Sequence, residues 1–258
     1  MARVICVANQ KGGVGKTTTS INLAASLAVL EQKTLLIDCD PQANSSSGLG
    51  HVVNDRGPDL YTVFYKPDYQ SVTDAIRAIK PPYLNLLPAS ISLVGVEVEL
   101  ANEMARESYL REVIRQVEKD YDFIIIDCPP SLSLLTLNAL CAATELLIPL
   151  QCEFFALEGI VKLMDTYTKV RKKLNKNLCI TGILLTMYDT RNRLSKDVQT
   201  EISRCLPQYM LKTLIPRNVR LSEAPSHGRS IIHYDIKSKG ATAYLALAQE
   251  VLLRKAIP

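Results

Sequence analysis

The sequence predicts an α/β fold: a doubly wound, mostly parallel sheet flanked by helices on both faces. Two observations predict it. Short runs of Val, Ile and Leu alternate along the 258 residues with longer segments of helical spacing, the pattern of strand–helix units joined by right-handed crossovers. The runs at Val4 and Phe123 show almost no polar alternation, as strands covered on both faces should. No linker-like composition or internal repeat divides the chain, so a single domain over residues 1–258 is expected.

Taken in order, the expected strands are VICVA from Val4, TLLIDCD from Thr34, LNLLPA from Leu84, FIIIDC from Phe123, ELLIPLQ from Glu145, ITGILLTM from Ile180 and LKTLIP from Leu211. The expected helices run over residues 17–32, 96–120, 133–143, 159–174, 195–206 and 241–256. The second of these, VEVELANEMARESYLREVIRQVEKD, reads as one long amphipathic helix. Residues 44–82 are the least regular and are expected to form loops and short helices beside a site. LIPRNVRLSEAPSHGRSI reads from composition as a long loop.

Composition narrows the class. A hydrophobic content of 47% supports a substantial core. The N-terminal MARVICVANQ lacks the architecture of a signal peptide, and no apolar run approaches the roughly 18 residues of a membrane span, so a cytoplasmic protein is expected. The seven cysteines are odd in number, form no C-x-x-C pair and sit mostly in apolar runs, which argues against a disulfide framework. Between Lys162 and Lys239 there are 16 Lys and Arg against 6 Asp and Glu, a local excess of +10 in a chain of net charge +4. Such asymmetry suits either a polyanion-binding face or a solvated helix surface.

The chemistry is carried by VICVANQKGGVGKTTT. A strand, a glycine-rich turn and a helix start give the context of a phosphate-binding loop. The amides of Gly12, Gly13, Val14 and Gly15 can converge on phosphate oxygens at a helix N-terminus. Lys16 should reach the β and γ phosphates, the Thr17 hydroxyl should bind Mg²⁺, and Thr18 should serve the α-phosphate side. The loop departs from G-x-x-x-x-G-K-[ST] at its first position, where Gln10 replaces glycine, and it carries a second lysine, Lys11. Asp127 ends the strand FIII, at the sheet edge where ligands bind, and suits an Mg²⁺ held through water. Asp38 and Asp40, two apart in LLIDCDPQ, should share a face of an extended chain. A carboxylate is a feeble base at neutral pH, so orienting the attacking water is the expected role. Thr17, Asp40 and Asp127 form the candidate metal set. Arg191, Arg193, Arg217, Arg220, Lys237 and Lys239 can form one basic surface, together with Lys196. With no base-reading motif beside them, any DNA they bind should be contacted through its phosphates, independently of sequence and sensitively to salt.

KGGVGKTTT, DCDPQANSSSGLG, IIIDCPPSLSLLTLNAL, QCEFFALEG, LLTMYDTR and IPRNVRLSEAPSHG, in this order along essentially the whole chain, resemble the ParA/Soj family of chromosome- and plasmid-partitioning ATPases. The first three motifs are shared with the wider deviant-Walker group, MinD and the nitrogenase iron protein included. The resemblance implies an ATP/ADP switch that needs Mg²⁺. It implies a nucleotide-sandwich homodimer that binds nonspecific double-stranded DNA on the nucleoid, and a ParB-type centromere-binding protein that stimulates hydrolysis. It makes Lys11 the signature lysine that reaches the partner's phosphates, Asp40 the aspartate critical for hydrolysis, and Arg191 a DNA contact. It places Met187, Pro216 and Asn218 along the adenine. The chain begins almost at its first strand, so no N-terminal helix-turn-helix domain is expected. Two alternatives stay open: a MinD-like membrane-associated division ATPase, which needs a terminal amphipathic helix, and a reductase with a cluster bridging two chains, which needs exposed cysteines.

Overall fold

The computed structural model describes residues 1–51, 57–65, 71–153 and 156–257. Among these, one sheet contains β1 (Arg3–Val7), β2 (Thr34–Asp38), β3 (Arg77–Ile79), β4 (Leu84–Leu87), β5 (Phe123–Asp127), β6 (Glu145–Gln151), β7 (Cys179–Tyr188) and β8 (Met210–Pro216). Their spatial order is β3-β4-β2-β5-β1-β6-β7-β8. All neighbours are parallel except the edge pair β3 and β4. The doubly wound reading holds, with β3 as a short antiparallel addition inside the segment read as irregular.

The helices are α1 (Lys16–Val29), α2 (Asn44–Gly48), α3 (Leu60–Tyr65), α4 (Val72–Ala75), α5 (Val96–Glu99), α6 (Tyr109–Val117), α7 (Leu134–Ala142), α8 (Ala156–Lys173), α9 (Arg193–Cys205), α10 (Val219–Glu223), α11 (Ile231–Tyr234) and α12 (Lys239–Leu253). Strand parity divides the core into two layers. Val4, Cys6, Leu35, Ile37, Ile124 and Ile126 face one cluster, closed by residues of α3 and α6–α9. Ile5, Val7, Leu36, Phe123 and Ile125 face the other, closed by α1, α11 and α12. This two-sided cover is why the strands lack polar alternation.

Two expectations are corrected. The long helix over 96–120 is broken into α5 and α6. Residues 101–106 between them are exposed, and Met104, which would have continued the apolar stripe, is 92% exposed. Without an apolar face to bury, propensity alone does not hold a helix together, and Ala105 takes a left-handed φ of 52°. The stretch after β8, read as a loop, is instead largely helical. Asn218 caps α10 by accepting a hydrogen bond from the Arg220 amide, and Ile231 and Ile232 of α11 are buried. Its short turns fall below the length at which helical periodicity can be seen.

Candidate nucleotide site and basic surface

Register places the site. Val7 pairs with Asp127, and Asp127 with Asp38, so three strands deliver their C-terminal ends to one edge of the sheet. The chain leaves β1 through Asn9, whose side chain donates to the Pro149 carbonyl and accepts from the Lys11 amide. Gly13 and Gly15 take left-handed φ values of 75° and 86°, where a β-carbon is strained. Gly12 is not left-handed, and a β-carbon there would meet nothing within 4 Å; the loop needs two permissive glycines rather than three. Val14 turns its side chain into the protein, and its carbonyl accepts from the Thr186 hydroxyl at 2.8 Å. Gly15 precedes α1 as its N-cap, so the first amides of that helix open onto the loop.

The two lysines are presented differently. Lys16 is 7% exposed and donates to the Lys11 carbonyl at 3.1 Å, folded over its own loop. Burial pushes its ammonium pKa down, opposed by the charges of Asp127 and Asp40. Lys11 stays at the surface, with its ammonium on the carboxylate of Glu153.

The carboxylates are also distinct. Asp127 accepts from the Ser20 hydroxyl at 2.9 Å and from the Ser45 hydroxyl at 2.7 Å. Burial raises its pKa to about 6, against the opposing effect of hydroxyl donors from Ser45, Thr17 and Ser20. Asp38 accepts from the Ser46 amide and hydroxyl at 2.8 and 2.7 Å. Burial first, and the neighbouring Asp127 second, raise its pKa to about 7. β2 ends at Asp38, so the extended chain in which Asp38 and Asp40 would share a face does not continue to Asp40. Asp40 alone lines the cavity, with one oxygen accepting from the Gln42 amide.

That cavity, about 290 Å³, is lined by Gly12, Gly13, Gly15, Lys16, Thr17, Thr18, Asp40, Asn44, Pro130 and Met187. A second of about 160 Å³ adjoins it, sharing Gly15, Thr18 and Met187 and adding Pro216, Arg217, Asn218 and Tyr244. Polyphosphate-sized polar space opening into a smaller lined slot suits a nucleotide. Buried Lys16, the loop amides, the Thr17 hydroxyl and hard carboxylate oxygens suit a magnesium–phosphate group. A larger groove of about 530 Å³, edged by Glu97, Arg106, Leu132 and Thr166, has neither the glycine-rich loop nor its lysine. Met187 holds a left-handed φ of 50° where the two cavities meet. Residues that the sequence did not single out are Ser20, Ser45 and Ser46, which hold the carboxylates, and Thr186, which holds the loop. Ser20 stands one turn after Lys16 on α1, a spacing that shares a helix face; Ser45, Ser46 and Thr186 lie inside the motifs DCDPQANSSSGLG and LLTMYDTR, which carried the resemblance without marking these side chains.

The basic residues follow β7 and β8, at the same edge. Arg191 is paired with Asp189, Arg193 with Asp197, and Arg220 with Glu223 and Asp235. Arg217, Lys237 and Lys239 have no ion pair among the described residues, and Arg217 also lines the smaller cavity. The +10 segment does not form one face. The basic end of α8, with Arg171, Lys172 and Lys173, lies where β7 begins, at the opposite edge. The cysteines Cys6, Cys39, Cys128, Cys141 and Cys152 are buried, and the described residues contain no group of His, Cys, Asp and Glu arranged to hold a metal unaided.

Comparison with known proteins agrees with this geometry. Residues 2–180 match the family model of an AAA domain. Over 254 residues the chain is 49% identical to the chromosome partitioning protein ParA of Myxococcus xanthus, covering 98% of this chain and 89% of that one. It is 49% identical over 251 residues to the sporulation initiation inhibitor protein Soj of Bacillus subtilis, covering 97% and 98%. Among solved structures, cobyrinic acid a,c-diamide synthase of Mycobacterium smegmatis with ADP and magnesium superposes with a TM-score of 0.86 at 35% identity, covering 100% of this chain and 98% of that one. The cell division ATPase MinD of Pyrococcus furiosus gives 0.79 at 28% identity, covering 98% and 99%. Near-full-length identity of this order decides the assignment: the chain belongs to the ParA/Soj family of chromosome-partitioning ATPases.

Proposed function

We propose that this ATPase is a switch for DNA segregation, in which ATP assembles a homodimer that holds nonspecific duplex DNA and hydrolysis releases it. The observation that carries the reading is the separation of the two loop lysines. Lys16 is buried and bound to its own loop, whereas the Lys11 side chain is 38% exposed and turned to Glu153. Lys16 is placed to neutralise phosphates of its own nucleotide. Lys11 is placed to meet charge arriving from outside, and a cation supplied by a second subunit stabilises a γ-phosphate as an arginine finger does. ADP lacks that phosphate, so dimerisation follows ATP.

The loop amides and Lys16 would hold the phosphates, with the adenine in the slot edged by Met187, Pro216 and Asn218. Magnesium, when bound, supplies charge neutralisation between the phosphates; Thr17 would ligate it, with Asp40 receiving its water, and Asp127, buried behind the cavity, would act through Thr17, whose hydroxyl donates to it. Asp40 orients the attacking water. Arg191, Arg193, Arg217, Arg220, Lys237 and Lys239 would contact DNA phosphates, and a ParB-type protein would trigger hydrolysis on the nucleoid in the cytoplasm. No observation favours a membrane-associated alternative. No helix among the described residues is long and apolar enough to cross a membrane, and α12 commits Tyr244, Leu247, Ala248 and Val251 to the core.

The test is turnover against binding. Asp40→Ala should retain ATP and DNA binding while magnesium-dependent hydrolysis falls by on the order of 100-fold or more, a loss comparable to removal of a key transition-state contact. Wild-type turnover in that variant would remove Asp40 from the reaction.

A further inference from the structure

Lys11 is not waiting in solvent. Its ammonium rests on the carboxylate of Glu153, two residues after the end of β6. The lysine side chain is 38% exposed and the glutamate 43%, so the contact can open without disturbing the core. The backbone on both sides is fixed independently. The Lys11 amide donates to Asn9, the Glu153 amide donates to the Gln151 carbonyl, and the Glu153 carbonyl accepts from the Ala156 amide at the start of α8. The two side chains therefore face each other from backbones held by their own hydrogen bonds, and one side chain can leave without breaking those bonds.

We propose that Glu153 is a latch that parks Lys11 within its own subunit and sets the ATP level at which the dimer forms. The inference rests on the reading of Lys11 as the lysine that acts across the dimer. One ammonium cannot remain on Glu153 and also neutralise the partner's γ-phosphate at full strength. Dimer formation must then break two such pairs, one per subunit. Glu153 also keeps a negative charge beside Lys11, which weakens the attraction of that lysine for a phosphate, so its carboxylate opposes assembly twice. Glu153 is a positioning residue, acting through Lys11. An exposed ion pair contributes modestly, so two of them tune the dimerisation constant by roughly two- to thirty-fold rather than abolish it.

The experiment titrates a non-hydrolysable ATP analogue and follows dimer formation by sedimentation velocity, for the wild type, Glu153→Gln, Glu153→Asp, Lys11→Ala and the double variant Lys11→Ala/Glu153→Gln. Glu153→Gln should dimerise at a lower analogue concentration, by roughly two- to thirty-fold in the dimerisation constant. Glu153→Asp keeps the charge and should stay nearer the wild type. Lys11→Ala should fail to dimerise, and neutralising residue 153 should not rescue it. If Lys11→Ala dimerises normally, the reading of Lys11 itself is wrong. If Lys11→Ala fails but Glu153→Gln dimerises no more readily than the wild type, or less readily, the latch is overturned while the role of Lys11 stands.

Discussion

Asp38 and Asp127 stand in register on adjacent strands with no solvent around either, and their environment sets a pH dependence. Burial raises Asp38 to about 7 and Asp127 to about 6, from an unperturbed value near 3.8. Each carboxyl binds its proton more tightly folded than unfolded. Their contribution to stability is therefore full below about pH 4 and is lost as pH rises through 6 and 7. For the protein without nucleotide or magnesium, Asp38→Asn should flatten this decline. Urea denaturation at pH 4.5, 6.0 and 7.5 checks it, and a profile as steep as that of the wild type would contradict the assignment. Lys16 carries a second prediction at this scale. Its ammonium has been moved out of water and lies against its own loop, so Lys16→Ala should lose at least about 100-fold in ATP affinity, the worth of one or two charged hydrogen bonds. Equilibrium binding of a fluorescent ATP analogue measures it.

At the scale of elements, the sequence was most legible where a run of residues obeys one period. The strands from Val4, Thr34, Phe123 and Glu145 could be read because both faces of each are covered, and a doubly covered strand announces itself as an unbroken apolar run. Lys16, Thr17 and Asp40, which line one cavity, lie in a loop and at a strand end whose spacing can be read from the sequence, whereas the expectation for Lys11 comes from the family resemblance. The break between α5 and α6 was not legible, because Ala, Glu, Met and Arg are helix formers and only the absence of a packing surface disqualifies residues 101–106. Nor was β3, three residues long, or the capture of the carboxylates by Ser20, Ser45 and Ser46, which depends on contacts across 82 and 107 residues in two of the three cases. A further contact of this kind joins the segment after Asp40 to the stretch after β8. Gly50 and Gly228 are both left-handed, and a β-carbon on Gly228 would lie 2.7 Å from the Gly50 Cα. Gly228→Ala should destabilise the fold by at least about 1 kcal/mol, since strain and clash add. Thermal denaturation measures this, and an unchanged midpoint would show that the crossing is loose.

Over the whole molecule, charge is divided between two ends of the sheet. The basic end of α8 lies far from the nucleotide, while Arg191, Arg217, Arg220, Lys237 and Lys239 lie at the edge that holds it. Three of the candidate arginines are already on carboxylates, so DNA held there as proposed would compete with Asp189, Asp197, Glu223 and Asp235 for them. Arg217 has no ion pair among the described residues and also lines the smaller cavity, the slot proposed for the adenine. Arg217→Ala should weaken DNA binding about equally for all sequences and reduce the salt slope by roughly one phosphate contact; an unchanged slope would place DNA elsewhere.

The central claim is that ATP, through Lys11, makes a DNA-binding dimer. The most direct measurement is binding of a duplex of arbitrary sequence at moderate salt, by fluorescence anisotropy, with ATP and with ADP, for the wild type and Lys11→Ala. The wild type should bind with ATP and not with ADP, and Lys11→Ala should bind with neither. Equal binding of the wild type in ATP and ADP, or wild-type binding by Lys11→Ala in ATP, would contradict the account.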